Sequence, residues 1–250
     1  MNKTAVMFGA GNVGRGFLGQ LFSESGYEVI FVDVDEALLE AFNRQGAYTI
    51  RLVENEWSEE VRVSPVRALH SSQAQDVAEA LAGASIAATA VGARILRLIA
   101  PLAAAGISLR ARRGRNEPLN FIICENLHDA AKVFREQVEQ DLPEEARPYF
   151  IERTGFVNTV IGRMVPPLIP ELRQQDPSLV IVEPYKELPV DRAGFVGTIP
   201  DIVGMQACDN FGAYTARKLY IHNCGHAMLA YLGYLSGYEY GYQPYFEDGS

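Results

Sequence analysis

Cysteine is scarce in this 250-residue chain. There are three, Cys124, Cys208 and Cys224, an odd number with no Cys-x-x-Cys pair. That pattern argues against a disulfide framework and favours reduced thiols, as in a cytoplasmic protein. Positive charge is also in deficit: 22 Lys and Arg stand against 31 Asp and Glu, a net charge of −9. A balance of that sign argues against nucleic acid or an anionic membrane as partner, though local groups can still hold a small anion. No apolar run approaches the ~20 residues that span a bilayer. The N-terminus shows no signal-peptide cleavage pattern, so the expected location is the cytoplasm. Repeats and low-complexity tracts are missing as well. What remains is an ordinary globular balance, 48% hydrophobic and 21% charged, in a chain long enough to fold as one or two domains without staples.

The clearest order lies in the first 35 residues. Thr4–Phe8 is a short apolar run suited to a buried strand. The segment GAGNVGRG follows, then a helix ending at Gly26, then a second strand, YEVIFVDVD, ending at Asp33. A helix is expected from about Glu36 to Gln45. YTIRLV and EVRVSPV read as two exposed strands of a small insertion. Beyond them QAQDVAEALAGA is helical, SIAATAVGA a buried strand, RILRLIAPLAAAG a helix, LNFIICEN a strand and LHDAAKVFREQVEQ a helix. Strands alternating with helices imply a parallel sheet covered on both faces. After Tyr149 the rhythm changes. The chain becomes proline-rich and irregular, with one more apolar strand, and turns helical from about Cys208. The expected division is a sheet domain over residues 1–190 and a mainly helical region over residues 191–250.

Gly9-Ala10-Gly11-Asn12-Val13-Gly14 fits G-x-G-x-x-G. The string alone is weak, but here it follows a strand, opens a helix, and precedes an acidic residue at the end of the next strand. The three glycines serve different purposes. Gly9 makes the tight turn, Gly11 lets a pyrophosphate approach the backbone, and Gly14 lets helix and strand pack closely. The helix N-terminus then offers N–H groups and a positive dipole end to the phosphates. Asp33 is the expected ligand for the adenine ribose hydroxyls. Its charge would repel a 2′-phosphate, so NAD is expected as cofactor rather than NADP. The binding set on this reading is Phe8, Gly9, Ala10, Gly11, Asn12, Val13, Gly14 and Asp33. Thr89, Ala90, Val91 and Gly92, which end another strand on the same sheet edge, form an expected wall of the nicotinamide side.

The stretch KLYIHNCGH, residues 218–226, holds two of the chain's four histidines. A zinc site at His222, Cys224 and His226 fails on count, because three ligands within five residues match no usual spacing and no second cluster completes them. No metal is expected. Tyr214-Thr-Ala-Arg-Lys218 mimics the Y-x-x-x-K pair of short-chain dehydrogenases, but their G-x-x-x-G-x-G loop would need a glycine where Ala10 stands. The third reading is Lys218, Asn223 and His226. On an ideal helix the three fall within an arc of roughly 140°, and His222 lies in the same arc. A Lys has a reference pKa of about 10.4, which burial and neighbouring cations can lower until it serves as a base. Asn223 could donate to a developing alkoxide, and His226 could bond the reacting oxygen.

These residues carry a resemblance. K-x-x-x-x-N-x-x-H after FGAGNVGRGFLG resembles the polyol-specific long-chain dehydrogenases. So do Asp33-Val34, TAVG at 89–92, CENL at 124–127, GFV at 155–157, RMVPP at 163–167 and KLYIHNCGHAMLAYLG. The resemblance implies an N-terminal Rossmann-type doubly wound sheet followed by a helical domain. It implies NAD-linked, metal-independent interconversion of mannitol 1-phosphate and fructose 6-phosphate, with Lys218 as general base and Asn223 and His226 assisting. Asn126 becomes a second polar group near the reacting oxygen and the cofactor. His222 and Cys224 fall at positions the family does not use for chemistry. Alternatives within the resemblance are another polyol or hexuronate dehydrogenase, or a nucleotide-binding remnant without turnover. Two departures stand out. Gly162 replaces the Asp expected before Arg163, and the family chain is longer, so the helical domain here reads as its opening part only. Arg153, Arg163 and Arg217 are basic candidates for the substrate phosphate. The apolar residues of AMLAYLGYL need a cover, so either self-association through the C-terminal helices or a poorly ordered tail is expected.

Overall fold

The computed structural model describes residues 3–54 and 57–239, and the chain forms two compact units divided between Asp209 and Asn210. The first unit opens with strand β1 (Lys3–Phe8), whose Ala5, Val6, Met7 and Phe8 are all buried. Alternation sends Ala5 and Met7 into the core on one face and Val6 and Phe8 into the core on the other. A strand covered on both faces needs such a continuous apolar run. After the glycine turn, a π-helical turn at Gly14–Leu18 leads into α1 (Gly19–Glu24). β2 (Tyr27–Asp33) and α2 (Glu36–Gln45) follow. Asp35 caps α2 by accepting from Leu38 N–H, and Gly46 closes it with φ +62°.

A hairpin of β3 (Tyr48–Glu54) and β4 (Trp57–Val63) then leaves the main sheet. β5 (Val66–His70) returns to it beside β2. The chain continues through α3 (Ala74–Gly83), β6 (Ile86–Thr89), α4 (Leu96–Arg112), β7 (Leu119–Ile123), α5 (Ala130–Gln140), α6 (Arg147–Arg153) and β8 (Thr154–Asn158). The order β5-β2-β1-β6-β7-β8, parallel throughout, is that of a doubly wound nucleotide-binding sheet. The chain leaves β1 toward one edge and returns on its other side at β6. The gap between the carboxyl ends of β1 and β6 is therefore the switch point, where ligands of such sheets bind.

Three expectations are corrected here. YTIRLV is not an exposed strand, because Tyr48, Ile50 and Leu52 of β3 are buried. They face the core beside the π-helical turn, and β3 pairs with the late strand β9 (Val180–Val182). EVRVSPV is not one strand: it spans the end of β4 and the start of β5, and Pro65 stands between them. The tract after Tyr149 contains the sixth strand, β8. Its Gly155 packs so close to Asn120 that a Cβ would lie 2.0 Å from the Asn120 Oδ1. Short helix α7 (Pro170–Gln175) precedes β9, and β10 (Leu188–Asp191) pairs in parallel with β11 (Met205–Cys208). The second unit holds α8 (Phe211–Arg217), a π-helical turn at Lys218–Asn223 and α9 (Cys224–Leu235). Among the described residues no helix is long and apolar enough to cross a membrane.

Candidate functional site

The glycine turn sits at the switch point, and its three glycines differ as the motif requires. Gly9 has φ +92°, and a Cβ there would lie 2.4 Å from the Ala90 carbonyl oxygen. A Cβ on Gly14 would lie 2.0 Å from the carbonyl oxygen of Gly9, so helix and turn touch backbone to backbone. Gly11 is the opposite case: it is exposed, and a Cβ there would meet nothing within 4 Å. That open space beside a helix start fits a diphosphate. The π-helical turn shifts the pattern so that Gly19 N–H donates to the Gly14 carbonyl. Tyr48 of the hairpin donates its hydroxyl proton to the Arg15 carbonyl at 2.6 Å, and burial pushes that phenol's pKa up.

Asp33 closes the turn from the end of β2. Its Oδ2 accepts from Ala10 N–H at 2.6 Å, and its Oδ1 accepts from Val34 N–H and Asp35 N–H. The carboxylate therefore shapes the loop as well as facing the cleft. That cleft, of about 250 Å³, is lined by Gly11, Asn12 and Asp33 on one side and by Pro167, Leu168 and Arg173 on the other. Sequence reasoning missed the second wall, an arm from the proline-rich tract. Three contacts hold it. Asn12 donates its amide to the Val165 carbonyl, Arg173 pairs with Asp35 at 3.0 Å, and Arg163 donates to the Gly16 carbonyl.

Arg163 is 4% exposed. Its bond to Gly16 is 2.8 Å long, and it also donates to Gln20 Oε1 at 2.7 Å and to the carbonyls of Tyr185 and Pro184. Burial pulls its pKa down to about 10, so it stays charged at neutral pH. With its donors committed to the arm and the glycine helix, it is a clamp and not a phosphate ligand. Arg153 is exposed at the end of α6. Arg15, which sequence reasoning also missed, is a second cation lining the cleft, beside Arg173. It is 7% exposed, donates to the Ala10 carbonyl, and has its pKa lowered by burial. Phe8, by contrast, lies with its side chain in the core, and only its backbone reaches the edge, accepting from Ala90 N–H at 2.8 Å.

Thr89, Ala90, Val91 and Gly92 follow β6 at the same edge. Thr89 is buried, Ala90 and Val91 are half-buried, and Gly92 is exposed with φ +90°. Glu125, just after β7, accepts from the N–H groups of Val91 and Gly92. Asn126 follows it and is exposed. The structure thus gathers Gly9–Gly14, Asp33, Thr89–Gly92 and Asn126 on the carboxyl edge of one sheet. The cleft lined by Gly11 and Asp33 lies at the glycine-turn end of that edge.

Lys218, Asn223 and His226 lie in the second unit. Lys218 and Asn223 are half-buried and bound the π-helical turn, and His226 is exposed in the first turn of α9. The 100° step behind the expected common arc does not hold through residues 218–223, because a π turn is wider than an α turn. The rings of His222 and His226 lie 4.4 Å apart, centroid to centroid. Arg217 is exposed, with its guanidinium 5.5 Å from the centre of the Tyr214 ring. Among the described residues no group of three or more His, Cys, Asp or Glu side chains is arranged to hold a metal ion.

Comparison with known proteins adds a family. A family model described as the mannitol dehydrogenase Rossmann domain matches residues 3–204. Among solved structures, octopine dehydrogenase in complex with NADH and agmatine is 13% identical, with a TM-score of 0.54, over 84% of this chain and 49% of that one. Octopine dehydrogenase with NADH and pyruvate is 15% identical, with a TM-score of 0.52, over 85% of this chain and 47% of that one. At such identity the likeness is one of fold, and the chain spans about half the length of these proteins.

Proposed function

The chain belongs to the mannitol dehydrogenase family through its Rossmann domain, and on that premise we propose an oxidoreductase that binds NAD and interconverts mannitol 1-phosphate and fructose 6-phosphate. The observation that carries the reading is the glycine turn at the switch point, with Asp33 bonded to it and open space at Gly11. These residues fit a dinucleotide: the diphosphate on the Gly11–Gly14 helix start near Arg15, the adenine ribose at Asp33, the nicotinamide toward Thr89–Gly92. A bound nicotinamide supplies the hydride acceptor. An acidic residue at the ribose favours NAD over NADP, because a 2′-phosphate would meet its charge.

The rest of the chemistry is a proton problem. An alcohol that gives up hydride must also lose its hydroxyl proton, and Lys218 is the base for it. Asn223 and His226 hydrogen-bond the reacting oxygen as charge develops on it. The octopine dehydrogenase structures contain NADH, which supports a nicotinamide cofactor here. In the same reading the exposed apolar side chains of α9 form a self-association surface.

The test compares NADH consumption with fructose 6-phosphate, fructose and fructuronate, and then kcat/KM for four variants with and without chelator. Fructose 6-phosphate should be the preferred substrate. Lys218→Ala should lose about 10²–10⁴-fold, His226→Ala should lose less, and Tyr214→Phe and His222→Ala should stay near the parent. NADH affinity, measured separately, should hardly change in any of them. A dead Tyr214→Phe beside an active Lys218→Ala would transfer the chemistry to the tyrosine, and chelator sensitivity would restore a metal.

A further inference from the structure

The turn at the nicotinamide end of the sheet is held by a buried carboxylate. Glu125 is 8% exposed. Its Oε1 accepts from Val91 N–H at 2.9 Å and its Oε2 from Gly92 N–H at 2.8 Å. A carboxylate taken out of water is costly unless its oxygens are satisfied, and here both receive charge-assisted bonds from adjacent backbone amides. Gly92 sits at φ +90°, a conformation that side-chain-bearing residues rarely adopt, so the turn is both unusual and pinned. Two more bonds fix its other side: Ala90 N–H donates to the Phe8 carbonyl at 2.8 Å, and Cys124 N–H to the Thr89 carbonyl at 2.9 Å. Residues 89–92 are thus tied to β1, to the end of β7 and to Glu125 itself. The residue after Glu125 is the exposed Asn126.

We propose that Glu125 is a positioning residue for the nicotinamide end of the dinucleotide. By accepting from two adjacent amides it fixes the Val91–Gly92 turn, and by being anchored itself it fixes the backbone that carries Asn126. The proposal rests on the reading that Thr89–Gly92 borders the nicotinamide. Two properties of the side chain matter, its charge and its two acceptor oxygens. In Glu125→Gln one oxygen becomes an NH2 group, which sets donor against donor at either Val91 or Gly92. The turn must then rotate, and Asn126 moves with it. The adenosine end, built on Gly11, Arg15 and Asp33, shares none of these bonds.

Binding of NADH and of ADP-ribose, which keeps the adenosine diphosphate and lacks the nicotinamide, separates the two ends. Both dissociation constants are measured for the unmodified chain, Glu125→Gln and Glu125→Asp, with thermal melts to check folding. Glu125→Gln should raise the Kd for NADH about tenfold, the loss of one charge-assisted bond, while the Kd for ADP-ribose stays within about twofold. Glu125→Asp keeps the charge with a shorter reach and should fall between parent and Gln. Equal shifts of both ligands, or no shift of either, would overturn the positioning role while leaving the dinucleotide reading intact. If the unmodified chain bound neither ligand, that reading would fail, and the role of Glu125 with it.

Discussion

At the scale of single residues, Asp33 does two things at once, and a substitution probes both. Its carboxylate accepts from Ala10 N–H and also lines the cleft to which the proposed function assigns the ribose. Asp33→Ala should weaken NAD binding by about tenfold and narrow the gap between NAD and NADP, as an oriented acceptor and a repulsive charge are both lost. Titration of both cofactors against both proteins measures this, and equal affinity for NADP in the unmodified protein would remove the ribose role. The place of Asp33 at the end of β2 beside the glycine turn was legible because an acidic residue at that distance from Gly14 completes the motif. Glu125, Arg15 and Arg163 were not. Nothing in the spacing of a buried carboxylate or guanidinium states which carbonyl or amide it meets. Those partners come from other elements: Gly16 is 147 residues from Arg163, and Val91 is 34 from Glu125. Of the three arginines offered as phosphate candidates, Arg163 proves to be a buried clamp whose donors are committed to Gly16, Gln20, Pro184 and Tyr185.

The elements show where pattern suffices and where it does not. The expected helix over Glu36–Gln45 matches α2, since a capping Asp and a closing Gly punctuate it. The strand β8 escaped notice because it is five residues long, contains a glycine, and lies in a tract marked by prolines. The π-helical turns at Gly14–Leu18 and Lys218–Asn223 have no sequence signature either, and both fall at candidate functional positions, as such turns often do. Within the glycine turn, geometry predicts opposite behaviour for two similar substitutions. Gly14→Ala puts a methyl group 2.0 Å from a backbone carbonyl, so it should lower the melting temperature and abolish NADH binding. Gly11→Ala meets no atom within 4 Å, so it should leave the melting temperature nearly unchanged while still weakening NADH, because its methyl occupies the space left for the diphosphate. Melting curves and NADH titrations of the pair check both. A Gly11→Ala chain that binds as well as the parent would remove the diphosphate from that position.

For the whole molecule, the strand order of the first unit follows from the alternation of strands and helices, whereas its reinforcement does not. Arg110 of α4 is 1% exposed and donates to the carbonyls of Leu81, Ala82, Ala84 and Glu117 and to the Tyr149 hydroxyl. It joins the ends of several elements that no local pattern connects. On the second unit, Met228, Tyr231, Leu232, Tyr234 and Leu235 are each more than half exposed. Apolar surface of that kind favours association. Sedimentation at two concentrations should show a mass that rises with concentration and falls in a Leu232→Glu, Leu235→Glu variant. A single monomeric species throughout would count against it.

The arm that walls the cleft has a consequence for the order in which the protein is made. The glycine turn is complete within the first few dozen residues, yet Arg163, Val165 and β9 reach it from roughly 150 residues further along the chain. Contacts so distant in sequence form late, because a long loop must close before they contribute. A nascent chain that has released every strand of the main sheet, through Asn158, still lacks the clamp on Gly16 and the second side of the cleft. The glycine turn therefore precedes its second wall by roughly 150 residues of chain. On the proposed reading, a dinucleotide meets both walls of that cleft only after Pro167, Leu168 and Arg173 have emerged.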